Sequence, residues 1–327
     1  MTEVTYRPLT LDDGPALARM LNRRDLELFG QANHWELTIS ENLSGDGFDL
    51  GASSRAAILP GGALAGFEVV YDNINPLRAN TWGCVDSDWR NRGIGSALLK
   101  WAWERAAQNI AKAPPEAQVS LASSAYFEDT AGKALLLEQG FELVRTFYTM
   151  RRDFEGPPTA PVLPEGFRLT TLAESGDLRS FVEVDNDAFR DHWGFIAPPL
   201  DEAIAHWKHE MATAPEFDPR YWCIAHFGDI PAGVIMTMTT CNFGADIAWV
   251  SSLGVRREFR KRGLGSALLE TAFAAHFGRG STGIALGVDA SSMTNAVALY
   301  ERAGMKVFLR RGTYEKVLRP GTDLAPH

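Results

Sequence analysis

The chain has 327 residues, enough for two domains of ordinary size, and its 45% hydrophobic and 22% charged residues are the balance of a globular protein. A net charge of −9 argues against general affinity for nucleic acid, and no apolar run reaches the ~20 residues that span a bilayer. The first ten residues show no basic-then-apolar leader, so a cytoplasmic location is expected. Cys84, Cys223 and Cys241 are too scattered for a disulfide framework or a zinc site; they are expected as buried thiols, with no metal bound.

In chain order, Tyr6 to Thr10 reads as a first strand, followed by an acidic helix start at Asp12 and Asp13. A hairpin comes next: Arg55 to Leu59, a turn at Pro60-Gly61-Gly62, then Ala63 to Tyr71. A further strand ends at Val85 and leads into Arg90-Asn91-Arg92-Gly93-Ile94-Gly95-Ser96-Ala97-Leu98-Leu99. Beyond it Leu98, Leu99, Ala102 and Ala106 share one helical face. A strand over Gln118 to Ser123, a short helix stopped by Gly140 and a closing strand pair end this half.

Residues 156–166 hold four prolines and two glycines, which neither a helix nor a central strand tolerates, so they predict a semi-rigid linker. The order of elements then returns. Phe167 to Thr171 predicts a strand, Glu174-Ser175 a helix start, and Trp222 to His226, Gly228-Asp229 and Pro231 to Met238 a hairpin. A strand ending at Val255 leads into Arg260-Lys261-Arg262-Gly263-Leu264-Gly265-Ser266-Ala267-Leu268-Leu269, the earlier phrase displaced by 170 residues. Leu268, Leu269, Ala272 and His276 share a helical face, Gly283 to Val288 predicts a strand, and Gly304 stops the next helix. The whole predicts an α/β fold with a mixed sheet in each of two tandem domains, 1–155 and 167–319, with 320–327 as a tail.

Glycines at the first turn of a helix let a ligand approach the backbone, and the unsatisfied N–H groups with the helix dipole attract anions. A dinucleotide fingerprint would want a small residue where Leu98 and Leu268 stand, and neither copy has a P-loop lysine. What is present is Arg-x-x-Gly-x-Gly after a strand ending in Val, twice. This resembles the acetyl-CoA pyrophosphate loop of the GCN5-related N-acetyltransferases (GNATs), and the resemblance spans most of both halves. It implies two tandem GNAT domains, each with a mixed, mostly antiparallel central sheet flanked by helices.

The resemblance also implies roles. Leu253, Gly254 and Val255 would offer strand N–H groups to the acetyl carbonyl and pantetheine, and Arg260 to Ser266 would hold the phosphates. In the first half Val85, Arg90, Arg92, Gly93, Ile94, Gly95 and Ser96 would do the same. The run Asn295-Ala296-Val297-Ala298-Leu299-Tyr300 matches the family's last helix, making Tyr300 the general acid and Asn295 a contact to pantetheine or acetyl. Opposite these the first half has Ala131 and Leu136, which cannot exchange protons, so the C-terminal domain is expected to be the catalytic one. Five basic residues, Arg256, Arg257, Arg260, Lys261 and Arg262, crowd the second loop; with only Phe259 among them for stacking, CoA phosphates fit better than nucleic acid.

No carboxylate stands on Ile247 to Ser252, where many family members place their base, and Asp246 precedes the strand. The segment 183–194 supplies Asp187, Asp191 and His192 as candidates to bind a cationic amine or take its proton. The expected activity is transfer of acetyl from acetyl-CoA to a primary amine through a ternary complex, without metal. The acceptor would be a small-molecule amine or a peptide N-terminus. No nucleic-acid or membrane partner is expected, and the chain would be a monomer or homodimer. The alternative is a non-catalytic CoA-binding sensor or scaffold.

Overall fold

The computed structural model describes residues 3–32, 39–44, 48–72, 75–190, 198–292 and 295–324. The chain forms two units, one of residues 1–146 with 310–325 and the other of 147–309 with the last two residues.

Unit 1 begins with β1 (Thr5–Arg7), α1 (Gly14–Phe29), α2 (Ile39–Asn42) and α3 (Leu50–Ser53). It continues through β2 (Ser54–Ile58), β3 (Leu64–Tyr71), β4 (Arg78–Val85), α4 (Ile94–Ala106), β5 (Val119–Tyr126), α5 (Thr130–Glu138) and the start of β6 (Glu142–Asp153). Unit 2 holds β7 (Phe167–Thr171), α6 (Leu172–Ser175), α7 (Leu178–Phe189), α8 (Leu200–Thr213), β8 (Cys223–Phe227), β9 (Ile230–Met238) and β10 (Ile247–Val255). It ends with α9 (Leu264–Arg279), β11 (Gly283–Asp289), α10 (Ala296–Arg302) and the start of β12 (Lys306–Arg319).

The sheet order is β1-β2-β3-β4-β5-β12 in unit 1 and β7-β8-β9-β10-β11-β6 in unit 2. Only β4–β5 and β10–β11 are parallel within them. Both faces of the central strands are covered, which is why β9 is buried almost continuously rather than at alternate positions. On one face Phe181, Val182 and Val184 of α7 pack with Trp222, Ile224, Val234 and Met236. On the other, Leu264, Leu268, Leu269 and Phe273 of α9 pack with Ala232, Ile235, Ala248 and Val250.

The closing strands differ from the sequence expectation. Each half was read as completing its own sheet, but Phe147 to Asp153 of β6 pair with Asp289 to Gly283 of β11, and Arg311 to Arg319 of β12 pair with β5. Each unit therefore takes its last strand from the other half of the sequence, and neither unit is a contiguous stretch such as 1–155 or 167–319. The reason is packing at long range: Met150 of β6 is buried with Ile284, Leu286 and Tyr300, while Tyr314 and Leu318 of β12 join Leu121, Leu136 and Phe141. The proline-rich segment 156–166 lies inside unit 2. Residues 320–324 are no loose tail, since Thr322 exchanges backbone hydrogen bonds with Glu116 and Gln118 and Asp323 pairs with Arg78 at 2.9 Å.

Candidate active site

The site of unit 2 is built around an opening between two parallel strands. β10 and β11 pair only from Ile247–Gly283 to Val250–Leu286, although β10 runs on to Val255 and β11 to Asp289. Against β9, the register of β10 shifts between Val250 and Ser252, so Ser251 is an extra, exposed residue. Beyond this bulge, the polar backbone groups of β10 that face away from β9 line the gap, which suits an extended amide chain such as pantetheine.

At the end of β10 the chain turns through a loop whose backbone is the same in both units. Lys261 and Gly263 have φ of 61° and 84°, and Asn91 and Gly93 have 60° and 78°. A left-handed conformation at a lysine costs about 1–2 kcal/mol, strain of the kind kept where a loop binds something. Gly263 is the N-cap of α9 and has no side chain to offer; the first intrahelical bond comes from Ala267 N–H at 3.1 Å. The N–H groups of Leu264, Gly265 and Ser266 thus converge on a position for an anion, and Ala97 bonding Gly93 at 3.0 Å leaves Ile94, Gly95 and Ser96 alike in unit 1. Leu264 and Ile94 are themselves buried, so they contribute N–H groups and not side chains.

The loop arginines mostly build the loop. Arg260 donates from Nε to the Val255 carbonyl and from Nη2 to that of Ala188, both at 3.0 Å, fixing α7 against the loop. Arg262 donates to the Glu258 carbonyl and lies over the Phe227 and Phe259 rings. In unit 1 Arg90 pairs with Glu27 at 3.1 Å and Arg92 lies over Trp89. Lys261 is exposed at the turn itself.

α10 packs its Leu299 near Gly265 in the first turn of α9, and Tyr300 belongs to the same buried cluster as Leu264 and Leu268. The Tyr300 ring is buried, and burial pushes its hydroxyl up to about 12, so at neutral pH it is a proton donor. Asn295 is the N-cap residue of α10 with φ of 55°, and its side chain makes no capping hydrogen bond. In unit 1 the equivalent helix α5 is capped in the ordinary way, Asp129 Oδ1 accepting from Gly132 N–H at 2.8 Å, and Leu136 fills the buried place of Tyr300.

The acidic candidates separate. Asp187 of α7 is ion-paired with Arg190 and lies 3.7 Å from Arg256, so its carboxylate ties the end of the helix to the loop. Asp191 and His192 lie outside the described residues. Sequence reading passed over Asp185, a half-buried residue of α7 that accepts a hydrogen bond from the Ser252 hydroxyl on the bulge of β10. Burial raises its carboxyl to about 6, against the lowering effect of Ser252. The signal was available: Asp185 shares a helix face with Phe181 and Ala188, where an acid is out of place.

Unit 1 differs at the matching strand positions. Glu68 of β3 stands where Ile235 stands, and Gly83 of β4 where Leu253 stands. A Cβ on Gly83 would fall 2.1 Å from Glu68 Oε2, so the carboxyl occupies the room of the absent side chain, and Thr81 donates to it at 2.5 Å. Among the described residues no group of three or more acids, histidines or cysteines could hold a metal ion, and no helix is long and apolar enough to cross a membrane. Cys84, Cys223 and Cys241 are unbridged; Cys223 is buried and the other two are half-buried.

Comparison with known proteins agrees with this geometry. Residues 178–305 match the acetyltransferase (GNAT) family. Mycothiol acetyltransferase of Thermobispora bispora is 29% identical over 247 residues, covering 75% of this chain and 77% of that one. The Salinispora arenicola enzyme of the same name is 28% identical, covering 78% of each. Among solved structures, a GCN5-related N-acetyltransferase from Sphaerobacter thermophilus superposes with a TM-score of 0.82 at 29% identity, over 99% of this chain and 98% of that one. A tandem GNAT protein from the clavulanic acid biosynthesis pathway shares the fold, with a TM-score of 0.72 at 16% identity over 98% and 100% of the two chains. Residues 178–305 thus carry the GNAT family match, and over its whole length the chain is similar to a GCN5-related N-acetyltransferase and has the fold of a tandem GNAT protein. Within that class its sequence is similar to the mycothiol acetyltransferases over three quarters of its length or more.

Proposed function

We propose that unit 2 transfers the acetyl group of acetyl-CoA to a primary amine within a ternary complex, and that unit 1 can hold CoA but does not catalyse. The observation that carries this is the asymmetry of two helices: α10 carries Tyr300 and follows Asn295, while α5 has Ala131 and Leu136 at the matching positions. The N–H groups of Leu264, Gly265 and Ser266 would hold the pyrophosphate, with Lys261 adding charge. The open backbone of Leu253, Gly254 and Val255 would pair with pantetheine and polarise the acetyl carbonyl. Asn295, spared from capping, would fix the arm, and Tyr300 would protonate the departing sulfur.

The acceptor is a small-molecule amine. The support is that relatives matching more than three quarters of the chain are named mycothiol acetyltransferases. Replacing Tyr300 by Phe removes the proton and keeps the buried ring. Turnover should fall about 100-fold while the KM for acetyl-CoA changes less than about twofold. An unchanged kcat in steady-state thiol-release assays would overturn the assignment.

A further inference from the structure

The carboxylate of Asp185 has no role in the reaction as assigned so far. It lies on α7, four residues before Phe189, and accepts from the Ser252 hydroxyl across to β10. The bulge that inserts Ser251 sits where the parallel pairing with β11 stops, and it presents Ser252 to α7 at the head of the gap. We propose that Asp185 receives the proton of the acceptor ammonium through the Ser252 hydroxyl; this rests on unit 2 being the transferase.

The surroundings fit that role. β9 and β10 carry no ionisable side chain. α8 turns Ile204, Trp207 and Met211 to the shared core, and its Asp201 is held by Arg179. On α7 itself Glu183 pairs with Arg179, and Asp187 with Arg190 and Arg256. The other ionisable residues of α8, Glu202, His206, Lys208, His209 and Glu210, contribute nothing to its titration: burial raises Asp185 to about 6 and Ser252 opposes, with no neighbouring charge contributing. Such a carboxylate is ionised at pH 7 yet basic enough to accept a proton.

The chain supplies its own control. Asp25 of α1 stands four residues before Phe29, as Asp185 stands before Phe189, and it is fully buried. Arg24 grips it through Nε at 2.8 Å and Nη2 at 2.5 Å, and Val184 occupies the position of Arg24 in unit 2. Opposite, Trp82 stands where Ser252 does, in a ladder with β3 that runs without a bulge. One copy holds its carboxylate in an ion pair with the neighbouring arginine; the other has valine in place of that arginine and a serine hydroxyl donating to its carboxylate.

The step balances. An N–H bond of the ammonium breaks, its proton passes to Ser252 Oγ, and the Ser252 proton passes to Asp185. The released lone pair forms the C–N bond to the acetyl carbon. As the C–S bond breaks, sulfur takes a proton from Tyr300, and the second amine proton restores Tyr300. The sum is an amide, a thiol and one proton, which leaves Asp185 for solvent.

The test is kcat/KM against pH, by thiol release from acetyl-CoA with the best acceptor among glucosamine, L-cysteine and spermidine, for wild type, Asp185→Asn, Asp185→Glu and Ser252→Ala. Wild type should lose activity on acidification with a midpoint near 6, and Ser252→Ala should move that midpoint to higher pH. Asp185→Asn should abolish it and lower kcat/KM about 100-fold at unchanged acetyl-CoA affinity, with partial recovery in Asp185→Glu. A folded Asp185→Asn that keeps its rate while Tyr300→Phe loses it overturns this proposal alone; if both keep their rates, the transferase reading of unit 2 falls. Independently of any acceptor, 13C NMR titration should show the Asp185 carboxyl near 6 and higher in Ser252→Ala. A titration near 4, unmoved by Ser252→Ala, overturns it.

Discussion

Glu68 shows what a single residue can do to a binding cleft. Its carboxyl fills the space left by Gly83, and burial pushes it up to about 7, opposed by the hydrogen bond from Thr81. The unfolded chain ionises this group near 4.5, whereas the fold holds it protonated until about 7. Stability is therefore complete at low pH and falls as pH rises through that window. Replacing Glu68 by Gln should raise unfolding free energy at pH 8 by up to about 3 kcal/mol and leave it unchanged at pH 4, as thermal melts at the two pH values would show. At this scale the sequence offers candidates where residues fall in a linear pattern, as Asn295 and Tyr300 do before and within one short helix. For Asp185 it shows the helix-face position but not the partner that gives this acid its character, Ser252, which is 67 residues away on another element.

Between elements, the decisive object is the turn from β10 into α9. The repeated phrase was legible because glycine marks the helix start, but the left-handed backbone at Lys261 and Asn91 was not, since neither residue demands it. The bulge in β10 did leave a trace. Apolar residues fall at Ala248 and Val250, then at Leu253 and Val255, so the alternation changes phase across Ser251-Ser252. Substituting Gly263 by Ala places a Cβ on a residue with φ of 84° and should cost about 1 kcal/mol in stability. The KM for acetyl-CoA should rise about tenfold. Gly93→Ala should strain unit 1 alike, with φ of 78°, and leave turnover as it was. A loss of kcat in Gly93→Ala would show that unit 1 takes part in the chemistry.

For the whole molecule the order of elements was readable from the duplication, while the partners of the last strands were not. β6 and β12 are both long and strand-like, and local pattern cannot say which edge each will join; Met150 and Tyr314 decide it from cores that form only in three dimensions. Strand exchange predicts that a fragment of residues 1–155 lacks the partner of β5, as well as Glu315 and Asp323, which hold Arg78 at 3.3 and 2.9 Å. It should show no cooperative urea transition at concentrations where the full chain does; a stable, cooperative fragment would contradict the pairing. The same exchange makes each half of the chain necessary to the other's sheet. Deleting the first half up to residue 155 would also delete the strand that closes the sheet beside β11. A chain wired this way cannot be trimmed to either copy of the repeated phrase, because each copy's sheet ends on a strand that the other half encodes.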